Sequence, residues 1–165
     1  MTDFTDRPTA EDREIVLGEE LRATILAIGA ETEGRMDLSD THLAPGAATP
    51  LHLHRRYTER FWVVSGSMTV WAGADTVELR SGDHAFVPIG VPHAVRAGAE
   101  GCHALHISSP AGFAELIRRA GSPARLAGAA AEFDPERFAA IAAEFGDELL
   151  GPPGSVPADL SGPVP

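Results

Sequence analysis

The chain has 165 residues, of which 44% are hydrophobic, and this length and composition fit one globular domain. Its formal charge of −11 repels nucleic acid phosphates and anionic lipid surfaces, so we expect no nucleic acid or membrane partner. The acidic start, MTDFTDRPTAEDRE, lacks the basic and apolar stretches of a secretory signal, and we therefore expect a cytoplasmic protein.

Residues 1–13 are charged and predict a flexible lead-in. From Leu21 to Ile107, short runs of β-branched, aromatic and aliphatic residues are interrupted by Gly, Pro or Ser-Gly about every 8 to 12 residues. This rhythm is typical of an all-β barrel, which we place at residues 14–112. The predicted strands are 21–28, 35–43, the LHLH segment, 59–64, 68–71, 76–79, 85–87, 93–96 and 102–107. Predicted hairpin turns are Ser65-Gly66-Ser67, Ala72-Gly73-Ala74 and Ser81-Gly82-Asp83.

The segment after Pro110 changes from a strand to a helix pattern. GFAELIRRAG predicts a short helix ending at Gly121, and a second helix is predicted from Asp134 to Gly146. We expect both helices, within residues 113–150, to pack outside the barrel, or the second to form a dimer contact. Residues 151–165 are so rich in Pro and Gly that they predict a disordered tail.

The stretch TPLHLHRRYTERFWVV contains two histidines and a glutamate, which are residue types that bind metals. His52 and His54 are separated by one residue, so on a strand both side chains point to the same face. Glu59 follows across a short polar bend and is predicted to fold back beside them. A buried carboxylate there needs a partner, which can be a metal, an arginine or a bound proton.

His93, just after the rigid turn PIGVP, is predicted to add a fourth group from a later strand. Three imidazoles and one carboxylate suit one divalent transition metal such as Fe, Mn, Ni, Co, Cu or Zn, whereas Ca and Mg favour oxygen ligands. An octahedral ion held in this way keeps two positions open for water, oxygen or substrate. We therefore predict a catalytic metal site on His52, His54, Glu59 and His93.

The spacing of these residues resembles the two conserved motifs of the cupin superfamily. The first motif matches at Gly46, His52, His54, Glu59 and Gly66, and the second at Gly82, Pro88, Gly90 and His93. The second motif departs from the family pattern only at Ala97, where the family commonly has Asn. The resemblance covers about residues 20–110 and implies a double-stranded β-helix, the jelly-roll barrel, with the metal inside.

Several further residues are interpreted as structural. Cys102 is predicted to be a buried thiol in a strand. At most one of His103 and His106 can face the barrel interior, and the sequence does not decide which. For Tyr57, Trp62, Trp71 and Phe86 we favour packing over pocket lining, and for Arg55 and Arg56 solvated charge over the steering of an anionic substrate.

The resemblance also suggests a reaction. Cupins with this ligand set include quercetinase-like dioxygenases, and small one-barrel members share the SPAGF segment (109–113), the step from Gly121 to Ala124 and the Pro-led second helix. The resemblance implies a dioxygenase that acts with dioxygen on a small enolic or aromatic, flavonol-like compound. Glu59 would then be both a metal ligand and the base. A redox-neutral metal cupin, such as a polyketide cyclase or isomerase, is the alternative, and a non-catalytic small-molecule-binding cupin the third. The sequence leaves the native metal and the substrate open, and we expect a homodimer.

Overall fold

The computed structural model of the protein describes residues 13–126 and 133–160. The predicted lead-in up to residue 12 and residues 161–165 of the predicted tail lie outside the described residues. The strands are β1 (Glu14–Leu17), β2 (Leu21–Ala27), β3 (Asp37–Leu43), β4 (Pro50–His54), β5 (Thr58–Ala72), β6 (Asp75–Arg80), β7 (His84–Val87), β8 (His93–Ser109), β9 (Ser122–Pro123) and β10 (Asp147–Pro153). The α-helices are α1 (Phe113–Ala120) and α2 (Pro135–Glu144), and short 3-10 helices cover Gly29–Glu31 and Pro157–Asp159.

The strands form one antiparallel sheet in the order β10-β4-β8-β3-β2-β1-β9, and β5 joins it by pairing with β8 as well as with β6 and β7. The long strand β8 is the centre of this arrangement. Its first residue, His93, pairs with His52 of β4, and its second half lies between β3 and β5. The predicted all-β fold with a short helical part is confirmed. None of the helices in the described ranges is both long and apolar enough to cross a membrane.

Strands β5 and β8 are each longer than predicted, because two pairs of predicted strands are continuous. The prediction that the chain reverses at Ser65-Gly66-Ser67 is wrong: β5 continues through these residues with two register shifts. Gly66 has a φ of 73° and lies so close to β8 that a Cβ atom would be 2.3 Å from the carbonyl oxygen of Gly101. Glycine here permits a sharp bend within a paired strand, not a turn between two strands.

The other two predicted turns do reverse the chain. Gly73 lies between β5 and β6, and Gly82 between β6 and β7, both at positive φ. Glycine adopts this conformation at little steric cost. The predicted chain reversals at Gly73 and Gly82 are confirmed.

Two clusters of buried apolar side chains form the core of the described ranges. One fills the barrel with side chains of β5 to β8, including Val63, Met68 and Val95. The other lies between the outer strands β1 and β2 and the two helices, and includes Ile15, Ile25 and Ile117. The predicted helices are thus observed packed on the outside of the sheet.

Helix α1 is held in place by a buried carboxylate of the sheet. Asp37, at the start of β3, accepts hydrogen bonds from the backbone N–H groups of Gly112 (2.8 Å) and Ala114 (3.2 Å). A carboxylate near the first turn satisfies donors that the helix itself leaves unpaired. Helix α2 begins as predicted, since the Asp134 side chain accepts a hydrogen bond from the N–H of Arg137 and Pro135 is its first residue.

The prediction that residues from 151 onward lack regular structure is wrong for the beginning of that segment. Strand β10 (Asp147–Pro153) extends into it and pairs with β4, with register shifts around Gly151. Proline is tolerated there because β10 is an edge strand, so a missing N–H on its outer side breaks no ladder bond. The sheet therefore includes residues assigned by sequence to the helical extension and to the tail.

Candidate metal centre

The four predicted ligands lie together in the structure. One donor atom from each of His52, His54, Glu59 and His93 falls within 4.8 Å of all the others. Glu59 Oε1 is 3.1 Å from His54 Nε2, and Glu59 Oε2 is 3.0 Å from His93 Nε2. His54, Glu59 and His93 are buried, whereas His52 is only half-buried. These four side chains are called the inner cluster below.

The strand pattern explains why these side chains meet. His52 and His54 alternate with buried leucines on β4, and His93 on β8 is the direct partner of His52. Residues 55–57 form a bend between β4 and β5, and Glu59, the second residue of β5, lies beside β8. Side chains that are two residues apart on a strand share a face, so both histidines of β4 point toward Glu59 and His93.

Each imidazole of the inner cluster has its Nδ1 atom fixed by an oxygen acceptor. His52 Nδ1 lies 2.7 Å from the Pro50 carbonyl oxygen, and His93 Nδ1 lies 2.9 Å from that of Val91. His54 Nδ1 lies 2.8 Å from Oδ1 of Asp147. These partners favour the tautomer with the proton on Nδ1, which leaves Nε2 free to donate its lone pair to a metal.

Asp147 and Tyr57 complete the surroundings of His54, and sequence reasoning did not assign either of them to the site. Asp147 is the first residue of β10 and lies 93 residues beyond His54 in the chain. Its second oxygen accepts a hydrogen bond of 2.8 Å from the Tyr57 hydroxyl, and the Tyr57 ring stacks on His54 with centroids 4.3 Å apart. No local motif marks Asp147, because its role depends on β10 pairing with β4.

Burial and charge oppose each other at the two central groups. Burial disfavours charge on Glu59, but His54 and His106 outweigh it and hold the pKa of this carboxyl well below its usual range. Burial likewise disfavours a charged His54, but the carboxylates of Glu59 and Asp147 raise its pKa to about 10. Glu59 is therefore ionised at neutral pH, and in the absence of a metal His54 carries a proton.

His52 and Tyr57 stay neutral under the same influences. Burial first, and then the nearby His93 and His54, lower the pKa of His52 to about 3. Burial, followed by the carboxylates of Glu59 and Asp147, raises the pKa of Tyr57 far above its ordinary value. His52 is thus ready to act as a ligand, and the Tyr57 hydroxyl keeps the proton that it donates to Asp147.

The inner cluster fits a divalent metal ion. His54 Nε2 is buried and has no aligned hydrogen bond within the described part of the chain, although Glu59 Oε1 is nearby. Two ligands at adjacent positions of an octahedral ion, each about 2.1 Å from it, lie about 3.0 Å apart. The His54–Glu59 and His93–Glu59 distances of 3.1 and 3.0 Å match this spacing. The residues present could therefore hold such an ion.

The two histidines left open by the sequence lie on opposite faces of β8. His106 is buried and its Nε2 lies 2.8 Å from Glu59 Oε1, so it is the one that faces the barrel interior. His103 lies on the outer face, with its Nε2 2.8 Å from Oδ1 of Asp40. His106 is therefore a direct neighbour of the inner cluster, and His103 is not.

The structure also shows the surroundings of the other residues considered from the sequence. Tyr57 stacks on His54, whereas Trp62 and Phe86 are exposed. Arg55 forms an ion pair of 2.7 Å with Glu148, which agrees with a structural role at the surface. Cys102 is buried as predicted, and burial raises the pKa of its thiol to about 11.

Known proteins share this architecture. Residues 39–108 match the family described as a cupin domain. A quercetin 2,3-dioxygenase from Bacillus subtilis (strain 168) is 28% identical over 115 residues, which cover 70% of this chain and 34% of that protein. The chain thus spans about a third of the length of this relative.

Two solved structures are similar in fold. An RmlC-like cupin from Shewanella frigidimarina NCIMB 400 is 25% identical with a TM-score of 0.55, covering 64% of this chain and 91% of that chain. The polyketide cyclase RemF from Streptomyces resistomycificus is 24% identical with a TM-score of 0.52, covering 64% of this chain and 79% of that chain. The second likeness concerns the fold alone.

The antiparallel barrel and its inner cluster define a small all-β protein with a group of side chains that could hold a divalent metal. Together with the similar proteins, they show that the chain has the cupin fold, and its residues 39–108 match the cupin domain family.

Proposed function

We propose that this protein is a divalent-metal-dependent dioxygenase that acts on a small enolic or aromatic, flavonol-like compound. The observation that carries the proposal is the inner cluster: three imidazoles with fixed Nδ1 atoms around an ionised, buried Glu59. The distant relation to a quercetin 2,3-dioxygenase supports the choice of reaction. That relative is much longer than this chain, so its activity enters here only as part of the proposal.

His52, His54, Glu59 and His93 would hold the ion. When bound, a divalent ion supplies Lewis acidity that lowers the pKa of a substrate hydroxyl next to it. The protein contributes the fixed direction of the three imidazoles, which Asp147 and the carbonyl groups of Pro50 and Val91 maintain.

Glu59 is the proposed proton acceptor. Its two oxygens face different partners, because Oε1 is 2.8 Å from His106 Nε2 and Oε2 is 3.0 Å from His93 Nε2. In the metal-free protein His54 and His106 hold the pKa of this carboxyl low, so Glu59 is ionised and able to accept a proton. We propose that it accepts the proton of an enolic hydroxyl, which is more acidic than that of an alcohol.

Ser39 and His106 are proposed to orient the substrate. They are directly paired across β3 and β8, and Ser39 Oγ and His106 Nδ1 are both buried with no hydrogen-bond partner in the described residues. Buried polar atoms are nearly always paired in folded proteins, with protein groups, water or a ligand. We assign them to polar groups of the substrate beside Glu59.

Oxygen consumption tests this proposal. Metal-loaded protein is mixed with a panel of flavonols and related enols in an oxygen electrode, while loss of the substrate is followed by absorbance. We expect oxygen to disappear in proportion to substrate. Equal turnover without air would instead indicate a redox-neutral reaction such as cyclisation or isomerisation, and tight binding without turnover a binding protein.

The variant Glu59→Gln tests the role of Glu59 as proton acceptor in the same experiment. The variant removes the base but keeps one oxygen near the histidines, so we expect some metal to remain while turnover falls about 10²- to 10⁴-fold. His84→Ala is the matched control, since His84 is exposed and stacks on Trp62 at the surface. Undiminished turnover in Glu59→Gln would contradict the proposed role of Glu59.

A further inference from the structure

A second cluster of histidine and carboxylate side chains lies on the outer face of the sheet. It consists of Asp40, His42 and His103, and is called the outer cluster below. The Nε2 atoms of His42 and His103 lie 3.2 Å and 2.8 Å from the same oxygen, Oδ1 of Asp40. Their rings are nearly parallel, with centroids 4.1 Å apart. Three donor atoms from three side chains therefore converge at the surface.

The backbone holds this arrangement firmly. His42 of β3 is the direct cross-strand partner of His103 of β8, and Asp40 lies two residues before His42, on the same face of β3. Both strands are interior to the sheet, since β3 is paired with β2 and β8, and β8 with β3 and β5. The three side chains are thus placed by paired backbone on both sides and not by a loop.

We propose that the outer cluster is a second metal site, which binds a borderline divalent cation such as Zn²⁺, Cu²⁺ or Ni²⁺. Two imidazoles and one carboxylate are donors that these ions prefer. The distances of 3.2 and 2.8 Å from Asp40 Oδ1 match the spacing of about 3.0 Å for adjacent ligands on one ion. The partial exposure of the three side chains leaves the other positions of the ion to water.

The charges around the outer cluster permit a bound cation. Arg22 on β2 is the cross-strand partner of His42, and its guanidinium lies 3.4 Å from the carboxylate of Glu14, which offsets part of its charge. The formal charge of −11 adds a general attraction for cations. This proposal concerns residues outside the barrel interior and does not depend on the reaction proposed above.

Equilibrium dialysis against Zn²⁺, followed by elemental analysis, tests the proposal. We expect the variant His42→Ala, His103→Ala to hold one ion per chain fewer than the wild type, and the control His84→Ala to hold the wild-type number. If the double variant keeps the wild-type number, the outer cluster is not a metal site. The test compares the metal contents of the wild type and the double variant, which should differ by one ion. This difference does not depend on whether the inner cluster binds metal.

Electron paramagnetic resonance of bound Cu²⁺ provides a second measurement. In a His52→Ala, His54→Ala background we expect nitrogen couplings from two imidazoles, and we expect Asp40→Asn to weaken Cu²⁺ binding by at least about tenfold. Nitrogen couplings that persist when His42→Ala and His103→Ala are added would overturn the assignment. If that background does not fold, the wild type and the variant His42→Ala, His103→Ala are each loaded with two equivalents of Cu²⁺, and the difference between their spectra should show the couplings from two imidazoles.

Discussion

The inner and outer clusters use the same donor types and share strand β8, yet their surroundings differ. In the inner cluster the side chains of His54, Glu59 and His93 are at most 3% exposed. In the outer cluster the exposed fractions of Asp40, His42 and His103 are 29%, 55% and 25%. Water can satisfy the outer side chains, whereas the inner ones depend on each other and on any ion that they hold.

This difference in burial predicts that the two clusters depend to different degrees on the residues that orient their imidazoles. Each inner imidazole is oriented by an acceptor on Nδ1, and a buried carboxylate can remain ionised only beside positive charge. The outer imidazoles are positioned mainly by the strands that carry them. We therefore expect tighter metal binding at the inner cluster, and a stronger dependence there on residues that do not touch the metal.

Asp147→Ala gives the largest expected effect of a residue that is not itself a ligand. The change removes the acceptor of His54 Nδ1, so the imidazole loses its fixed direction and metal affinity of the inner cluster should fall about 10- to 100-fold. Competition with a chromophoric chelator measures this affinity. Tyr57→Phe is the matched control: it removes the hydroxyl that donates to Asp147 but keeps the bond to His54, and should change affinity much less. Equal affinity in Asp147→Ala and wild type would contradict the orienting role.

Proton release on metal binding should be substantial at the inner cluster. The pKa of His54 is raised to about 10, so without metal it is protonated at pH 7, and an ion at Nε2 must displace that proton. Glu59 is already ionised and His52 already neutral, so they add none. We expect His54 to contribute about one released proton per ion at pH 7, and this contribution to disappear as the pH rises through about 10.

Titration calorimetry in two buffers of different ionisation enthalpy measures this release. The variant His42→Ala, His103→Ala serves as the sample, because only the inner cluster then contributes. Metal binding at pH 7 without any proton release would show that His54 is neutral before the ion binds, against the electrostatics described here.

His103→Ala should have the smallest effect on the inner cluster. His103 lies on the outer face of β8 and contacts Asp40, so metal affinity of the inner cluster should stay within about twofold of wild type. The loss of a partly exposed contact should lower the free energy of unfolding by at most about 1 kcal/mol. A large fall in inner-cluster affinity, measured with the same chelator, would mean that the two clusters are coupled through β8.

Much of the inner cluster was predictable from local sequence. The spacing of His52 and His54 fixes a shared face on a strand, and the motif that ends in His93 fixes the second strand. The same local pattern failed at Gly66, because a glycine between two serines indicates a sharp bend but not whether the chain reverses there. That outcome depends on the close approach of β5 to β8 at Gly101.

The residue that orients His54, and the convergence of the outer cluster, were not predictable from local sequence. Asp147 reaches His54 only because β10 pairs with β4, and a segment ending in GPP gives no signal for a strand. The convergence of Asp40 and His42 on His103 likewise depends on the register of β3 with β8. Pairings between distant parts of the chain are decided by the packing of the whole sheet. Homodimer formation and cytoplasmic location stay predictions from sequence.

The metal content of the inner cluster is the most direct test of this account. Elemental analysis after dialysis against Zn²⁺ is performed on the His42→Ala, His103→Ala variant, and again after His52→Ala and His54→Ala are added, with circular dichroism to verify the fold. We predict one ion per chain in the first protein and less than about a tenth of that in the second. Full occupancy in a folded protein without His52 and His54 would contradict the assignment of the inner cluster as the metal centre.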